Sequence, residues 1–385
     1  MRLVALGELV EIVSGATPRS EVAEYWGGDI RWVTPADLSK LNGPYIATTP
    51  RTITRAGLAS CAATVLPVGS VLLSSRAPIG HVAINTEPMA TNQGFKSLVP
   101  RDGRLNAKYL YHWLRARTDY LQSLGNGATF KELSKATVER VEIPLPMPDK
   151  QRHIAAILDR AEALGAKHRR VIARIEELSQ SIFSSVFGEH EYSMERLDSL
   201  VDRGDRMNYG VIQPGDDTPG GVPLIRISNL SAGAVDRRKL KHISPDIEAR
   251  YARSRIRGNE ILVSCVGSIG EVSVVSNADI GSNIARAVTR IPISDPVMRS
   301  YVAAYLRTHA PQRYFRSELR TVAQPTLNVR QLAATQVPMA SRELLESFVR
   351  NAEQVTAQGV VAVRALAIDE ALFESVRSRA FRGEL

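Results

Sequence analysis

The chain states nearly the same pattern twice, and this repetition restricts its possible folds more than any other feature. Leu6, Leu9 and Val10 recur as Leu197, Leu200 and Val201. Trp32 to Leu38 (WVTPADL) recurs as Leu224 to Leu230 (LIRISNL). Gly69 to Ser75 matches Gly258 to Ser264 with a one-residue shift, and Pro78-Ile79-Gly80 matches Ser268-Ile269-Gly270. Thr91-Asn92 matches Ser282-Asn283, Lys108 to Arg115 matches Ser300 to Arg307, and Ile143-Pro144-Leu145 matches Val337-Pro338-Met339. Partners stay between 189 and 194 residues apart, in unbroken order. A period this long is not a solenoid. It predicts two similar globular domains in a pseudo-two-fold arrangement, each with its own core, in a chain of 385 residues.

Each repeat reads as mixed α/β. Val65 to Ser75 and Glu260 to Ser264 are β-branched runs bounded by Gly and Pro, hence strands. Residues 79–84 and 269–275 continue as second strands after glycine turns at Gly80 and Gly270, which read as hairpins rather than phosphate cradles. Asn106 to Leu124 has helical periodicity through Tyr109, Leu110, Trp113, Leu114 and Leu121. Ile143 to Pro148 (IPLPMP) forms an extended, helix-incompatible exit.

After each exit the pattern changes. From Asp149 to Phe187 there is no proline and one glycine, Gly165. Ile154, Ala161, Ile175 and Ile182 form one heptad series, flawed only by His168, and Ile157, Leu164, Val171 and Leu178 form a second. Near the C-terminus, Leu345, Ala352, Gly359, Leu366, Phe373 and Ala380 step by seven, beside Phe348, Val355, Ala362, Asp369 and Val376. Two heptad helices in one chain are expected to pair antiparallel. At 1.5 Å per residue each would run roughly 58 Å and hold the domains apart. The fold class expected is α+β: two similar mixed α/β domains joined by two long antiparallel coiled-coil helices. The boundaries are 1–148, 149–188, 189–340 and 341–385.

The net charge of +9 points toward a polyanion, nucleic acid first. With 44% hydrophobic and 23% charged residues, the chain has the balance of a globular protein. Cys61 and Cys265 are no disulfide framework and fit a reducing cytosol. Glu8 and Glu11 interrupt any signal-peptide core, and no apolar run reaches the about 18 residues that span a bilayer. A cytoplasmic location is expected.

Chemistry-bearing motifs are missing. No Pro-Pro occurs, which an adenine methyltransferase motif of the Asn/Asp-Pro-Pro-aromatic type requires. There is no Gly-x-Gly-x-x-Gly turn, no P-loop, no Asp/Glu-x-Lys nuclease signature and no His-Glu-x-x-His site. A binding protein without catalytic or metal-binding residues is expected.

For phosphate neutralisation the candidates are Lys40, Arg51, Arg55 and Arg76 in the first repeat. The second repeat offers Arg237, Arg238, Lys239 and Lys241, then Arg250, Arg253, Arg255 and Arg257. For base-edge reading, where Arg forks onto guanine and Asn or Gln onto adenine, the candidates are Asn92, Gln93, Lys131, Arg226, Asn229, Asn283, Arg286, Gln324, Asn328 and Arg330.

The order of elements, with Ile143-Pro144-Leu145-Pro146, Asp149 to Leu158 (DKQRHIAAIL), Ser75 to Gly80 (SRAPIG) and Ala380 to Leu385 (AFRGEL), resembles the specificity-subunit (HsdS) family of type I restriction-modification enzymes. The resemblance covers essentially the whole chain. It implies two target recognition domains, each reading half of a split site in double-stranded DNA. The paired helices would set the unread gap. It further implies two docked methyltransferase subunits that use S-adenosylmethionine to methylate adenine at N6, with motor-nuclease subunits joining for restriction, and no cofactor in this chain. Ser268 in place of Pro78, and an acidic, Gly-rich stretch at 203–221 with no first-repeat counterpart, imply that the domains read different half-sites. The residues also admit a non-catalytic protein adaptor or a degenerate specificity subunit.

Overall fold

β-branched residues between glycine turns form the central strands of each repeat. In the computed structural model, which describes residues 2–127, 131–188, 191–319 and 325–384, two units form. One is Met1–Leu164 with Asp369–Leu385, the other Gly165–Ile368.

In the first unit the strand Val71–Leu73 is wholly buried. It pairs antiparallel with Val82–Asn85 and with Lys96–Pro100. Val10–Ser14 and Tyr45–Ile46 complete five strands. In the second unit Glu260–Ser264 takes the central place, between Val272–Val274 and Val288–Pro292, with Asn208–Tyr209 outside the latter. Each unit has a second sheet of three strands. Trp26–Val33 lies antiparallel to Arg51–Ile53 and parallel to Met89–Thr91. Val222–Ile225 lies antiparallel to Lys241–Ile243 and parallel to Asn283–Ile284. Each unit closes with a two-stranded pair, Leu3–Ala5 with Glu142–Pro144 and Ser193–Arg196 with Gln336–Met339. The repetition read from sequence is therefore a repetition of topology.

Local details depart from expectation where turn chemistry intervenes. The strand within the segment 65–75 is Val71–Leu73, with single bridges from Leu66 to Met89 and from Ser74 to Phe95, because Pro67 to Ser70 form a turn with Gly69 at φ 85°. The following strands begin later than expected, at Val82 and Val272. Gly80 (φ 108°) and Gly270 (φ 91°) lie in the hairpins. Their amides donate to Ser74 O at 3.1 Å and Ser264 O at 3.0 Å. The helix expected over 106–124 is two helices, Ala107–Ala116 and Thr118–Ser123, broken at Arg117. Pro296–Leu306 and His309–Ser317 repeat that break. Asn106 caps the first of these by accepting from Lys108 N and Tyr109 N, and Asp295 caps its counterpart through Val297 N and Met298 N. Buried Tyr109 donates its hydroxyl to Pro144 O at 2.8 Å. Tyr301 does the same to Pro338 O. The matched tyrosines thus fasten the helix to the proline exit in both units.

The two long helices are Pro148–Phe187 and Arg342–Arg382. Within the second unit they run antiparallel. Gly165 faces Leu366 and Gly359 faces Ile175, while Phe187 packs against Phe348 with ring centroids 5.4 Å apart. Within the first unit, Ile154 and Leu158 share a core with Phe373, Val376, Ala380 and Phe381. Both series expected on the second helix face inward; only one does on the first. Leu164, Val171 and Leu178 are 42%, 44% and 49% exposed. The seam instead passes through Leu158, Gly165, Ile172, Ser179 and Val186, alternating with Ile154, Ala161, His168, Ile175 and Ile182. The heptad register is thus moved by one step. Small residues at 165 and 179 carry no hydrophobic signal, yet they let the helices approach.

Candidate nucleic-acid interface

Within each unit taken by itself, the backbone brings corresponding residues to the equivalent strand end. Asn92 N donates to Val33 O at 3.0 Å, and Ala285 N to Ile225 O at 2.9 Å. Ser75 N donates to Gly94 O at 2.7 Å, and Cys265 N to Ala287 O at 2.8 Å. These bonds make Asn92 the counterpart of Ala285. The match of Asn92 to Asn283 is therefore two residues out of step. The segment before this end approaches so closely that only glycine fits. A Cβ on Gly15 would lie 2.0 Å from Asn92 O, and one on Gly210 would lie 1.7 Å from Ile284 O. Sequence matching missed this Gly15–Gly210 equivalence. Gly210→Ala is expected to lower stability by about 3 kcal/mol, read as a reduced urea midpoint; an unchanged midpoint would contradict this packing.

In the first unit the strand end carries exposed Gln93. Asn92 Oδ1 accepts from Gly94 N at 2.9 Å and shapes the turn beneath it. The Thr17 hydroxyl donates to Gln93 Oε1. Two indoles hold the loop that carries Thr17 and the exposed Arg19. Trp32 Nε1 donates to Ala16 O at 3.1 Å and Trp26 Nε1 to Arg19 O at 3.2 Å. Leu133 N donates to Ser75 O at 2.9 Å, which brings Arg76 and exposed Lys131 to the same end. Arg76 lies 3.7 Å from Glu132. Arg51 is spent differently, its guanidinium 3.7 Å above the Trp26 ring. Lys40 follows the short helix Pro35–Leu38, and Arg55 opens the helix Arg55–Ala59; both are exposed. Thr17 and Arg19 escaped sequence reasoning. The signal that could have found them is the Gly15-Ala16-Thr17-Pro18 turn, aligned with Gly210.

In the second unit Arg286 is exposed and its amide donates to Val211 O at 2.8 Å. Several other expected readers are structural. Asn229 is buried and accepts from Arg226 N at 3.0 Å in a capping turn, as Asp37 does from Thr34 N at 2.8 Å. Asn283 is fully buried. It accepts from the Ser254 hydroxyl at 2.7 Å and donates to Tyr251 O at 3.1 Å. Asn328 caps the helix Val329–Ala333 through Gln331 N. Arg226 is half-buried and donates to Lys239 O at 3.2 Å. These amides satisfy internal partners, and leaving them unpaired would cost free energy. Arg330 is exposed on its helix, and Gln324 lies outside the described residues.

The basic run is largely neutralised within the unit. Arg237 pairs with buried Asp279 at 2.9 Å, and Arg238 grips Asp236 with both ends of its fork. The Arg238 guanidinium holds the Asp236 carboxyl down at about 2. Arg255 pairs with Glu248, and Arg257 lies 3.4 Å from Asp205. Lys241 donates to Gly215 O. Lys239, Arg250 and Arg253 are exposed with no ion pair among the described residues.

Among the described residues no cluster of His, Cys, Asp or Glu could hold a metal ion, and no helix is long and apolar enough to cross a membrane.

This architecture is a duplicated recognition module in which each globular part packs onto stretches of two long antiparallel helices. Residues 1–177 match the family of the type I restriction modification DNA specificity domain. The EcoBI specificity subunit of Escherichia coli is 30% identical over 336 residues, covering 78% of this chain and 70% of that protein. The MjaIX specificity subunit of Methanocaldococcus jannaschii is 38% identical over 186 residues, 48% of this chain and 43% of the relative. The matched stretch thus spans 70% of the E. coli relative but less than half, 43%, of the M. jannaschii relative. In fold, it resembles the type I restriction-modification S subunit of M. genitalium with a TM-score of 0.60 at 13% identity, covering 99% of this chain and 96% of that one. The chain belongs to the type I restriction enzyme specificity-subunit family.

Proposed function

We propose that this chain reads a bipartite DNA sequence for a type I restriction-modification complex and carries out no bond chemistry itself. Residues 1–148 and 189–340 act as the two target recognition domains. Residues 149–188 and 341–385 act as the helical scaffold. The observation that carries the reading is the repeated strand end, which presents Gln93 in one unit and Arg286 in the other, both exposed. Phosphate contacts fall to cations not already neutralised: Lys40, Arg55 and Lys131 in the first unit, and Lys239, Arg250, Arg253 and Arg330 in the second.

The partners are double-stranded DNA, two methyltransferase subunits and motor-nuclease subunits, in the cytoplasm. S-adenosylmethionine is bound by the methyltransferase, which modifies adenine at N6. The exposed stripe of Val171 and Leu178 on the first long helix, with Val361 and Ile368 exposed on the second, supports docking of a methyltransferase subunit there.

DNA binding by the assembled complex tests the electrostatic part. Each phosphate contact contributes close to one unit of slope in log K against log salt. Lys239→Ala is expected to reduce that slope by about 1. Arg238→Ala, whose charge Asp236 already balances, should change it far less. Equal effects of the two, or none from Lys239→Ala, would contradict the assignment.

A further inference from the structure

We infer that Gln93 and Arg286 are the same specificity position in the two recognition domains. Gln93 selects an adenine·thymine pair in one half-site, and Arg286 selects a guanine·cytosine pair in the other. This inference rests on the DNA-reading function proposed above and adds the residues and the bases.

The equivalence follows from backbone bonds on both sides. Asn92 and Ala285 donate to the matched carbonyls of Val33 and Ile225. Two residues on, Gly94 and Ala287 accept from the matched amides of Ser75 and Cys265. A single residue lies between these fixed points in each unit, Gln93 or Arg286. Each is exposed where the residue two positions before it is buried. The parallel register supports this: Val33 opposes Thr91, and Ile225 opposes Ile284. Gly15 and Gly210 press against this backbone in both units, so the position stands on a firm base.

The two side chains differ in the way that base recognition requires. Gln93 presents an amide with one donor and one acceptor face, matching adenine N7 and N6. Thr17 donates to its oxygen, fixing the amide while leaving the oxygen a second lone pair and the nitrogen both protons. Arg286 presents a fork of donors, matching guanine O6 and N7. It has no ion pair among the described residues, unlike its neighbours Arg255, Arg257 and Arg290. The residue following Val211 is Ile212, 56% exposed, where the first unit has Thr17. An orienting hydroxyl is thus absent where the side chain is a rigid fork.

The test is N6-methyladenine mapping for the complex of this chain with its methyltransferase subunits, with Gln93→Ala and Arg286→Ala beside the unaltered chain. Gln93→Ala should relax one adenine·thymine position in one half of the motif and leave the other half strict. Arg286→Ala should relax one guanine·cytosine position in the opposite half. If a variant methylates too weakly to map, binding is measured to duplexes substituted one base pair at a time. Discrimination at the single position should fall about tenfold to a hundredfold. Unchanged strictness at every position overturns the inference. So does a uniform loss of binding to all duplexes with a reduced salt slope, which marks a phosphate contact. An unaltered complex without any bipartite motif overturns the DNA-reading function and this assignment with it.

Discussion

Arg290→Met is expected to destabilise the second unit by about 3–5 kcal/mol. Arg290 is 1% exposed and serves four groups, among them the Asn208 side-chain oxygen at 3.3 Å. Its guanidinium donates to the two Asp205 oxygens at 3.0 and 2.6 Å and to Arg253 O at 2.9 Å, and lies 3.3 Å from Glu260. Glu260 is wholly buried on the central strand, and its other partners are the amides of Arg257 and Gly258. Replacing the whole set by apolar groups could be neutral. Removing only the cation leaves a buried carboxylate without its counter-charge, which is the costly case. The first unit has Ser97 at the corresponding ladder position and needs no such network. The network has an acid signature. Burial raises the Asp205 carboxyl, but the Arg290 hydrogen bonds and the Arg206 amide outweigh it and leave it lowered. A lowered carboxylate contributes stability above its unfolded value that is lost as pH falls through the folded value. Urea unfolding at pH 7 should show the loss in the variant, and on acidification the variant should lose less than the unaltered chain. A midpoint unchanged at pH 7 would contradict the network's role.

Val171→Asp combined with Leu178→Asp is expected to weaken association with the methyltransferase subunit by about 100-fold or more. The side chains are 44% and 49% exposed in this chain, so the substitutions should cost its own stability only modestly and leave the helices formed. Burying the exposed part of each in an interface is worth about 1 kcal/mol, and placing a carboxylate there adds a larger desolvation cost. The sum corresponds to at least two orders of magnitude in Kd. Titration calorimetry of the purified subunits reads the affinity, and circular dichroism reads the helices. Intact helices with unchanged affinity would place the docking face elsewhere.

The architecture was legible in the sequence because duplication repeats its own test. Tyr109 and Tyr301, the proline exits and the two glycine hairpins matched in order and proved matched in role. Both series on the second long helix also read correctly, since Leu345, Phe348, Ala362 and Ala380 face the core. The first helix misled because its seam uses Gly165 and Ser179, while Leu164, Val171 and Leu178 lie on the surface. Hydrophobic periodicity cannot separate an internal seam from an interface kept for another chain. The site was less legible. Asn229, Asn283 and Asn328 carry groups suited to bases and to turns alike, and only the surrounding donors decide. Asn229 was nonetheless decipherable, because its own match was Asp37, a capping residue. The charges of Arg237, Arg255 and Arg257 are cancelled by Asp279, Glu248 and Asp205, of which only Glu248 is close in sequence. A basic run therefore overstated the cation available to DNA.

The central claim is that two duplicated modules each read one half of a split site. Its most direct test is to co-express the chain with its methyltransferase subunit in a host without DNA methylation and map N6-methyladenine across the genome. Residues 1–148 are then exchanged for those of a relative. The account predicts a bipartite motif with a constant gap, methylated on both strands, of which the exchange alters one half only. A stable complex that methylates nothing, or an exchange that rewrites both halves, would contradict it.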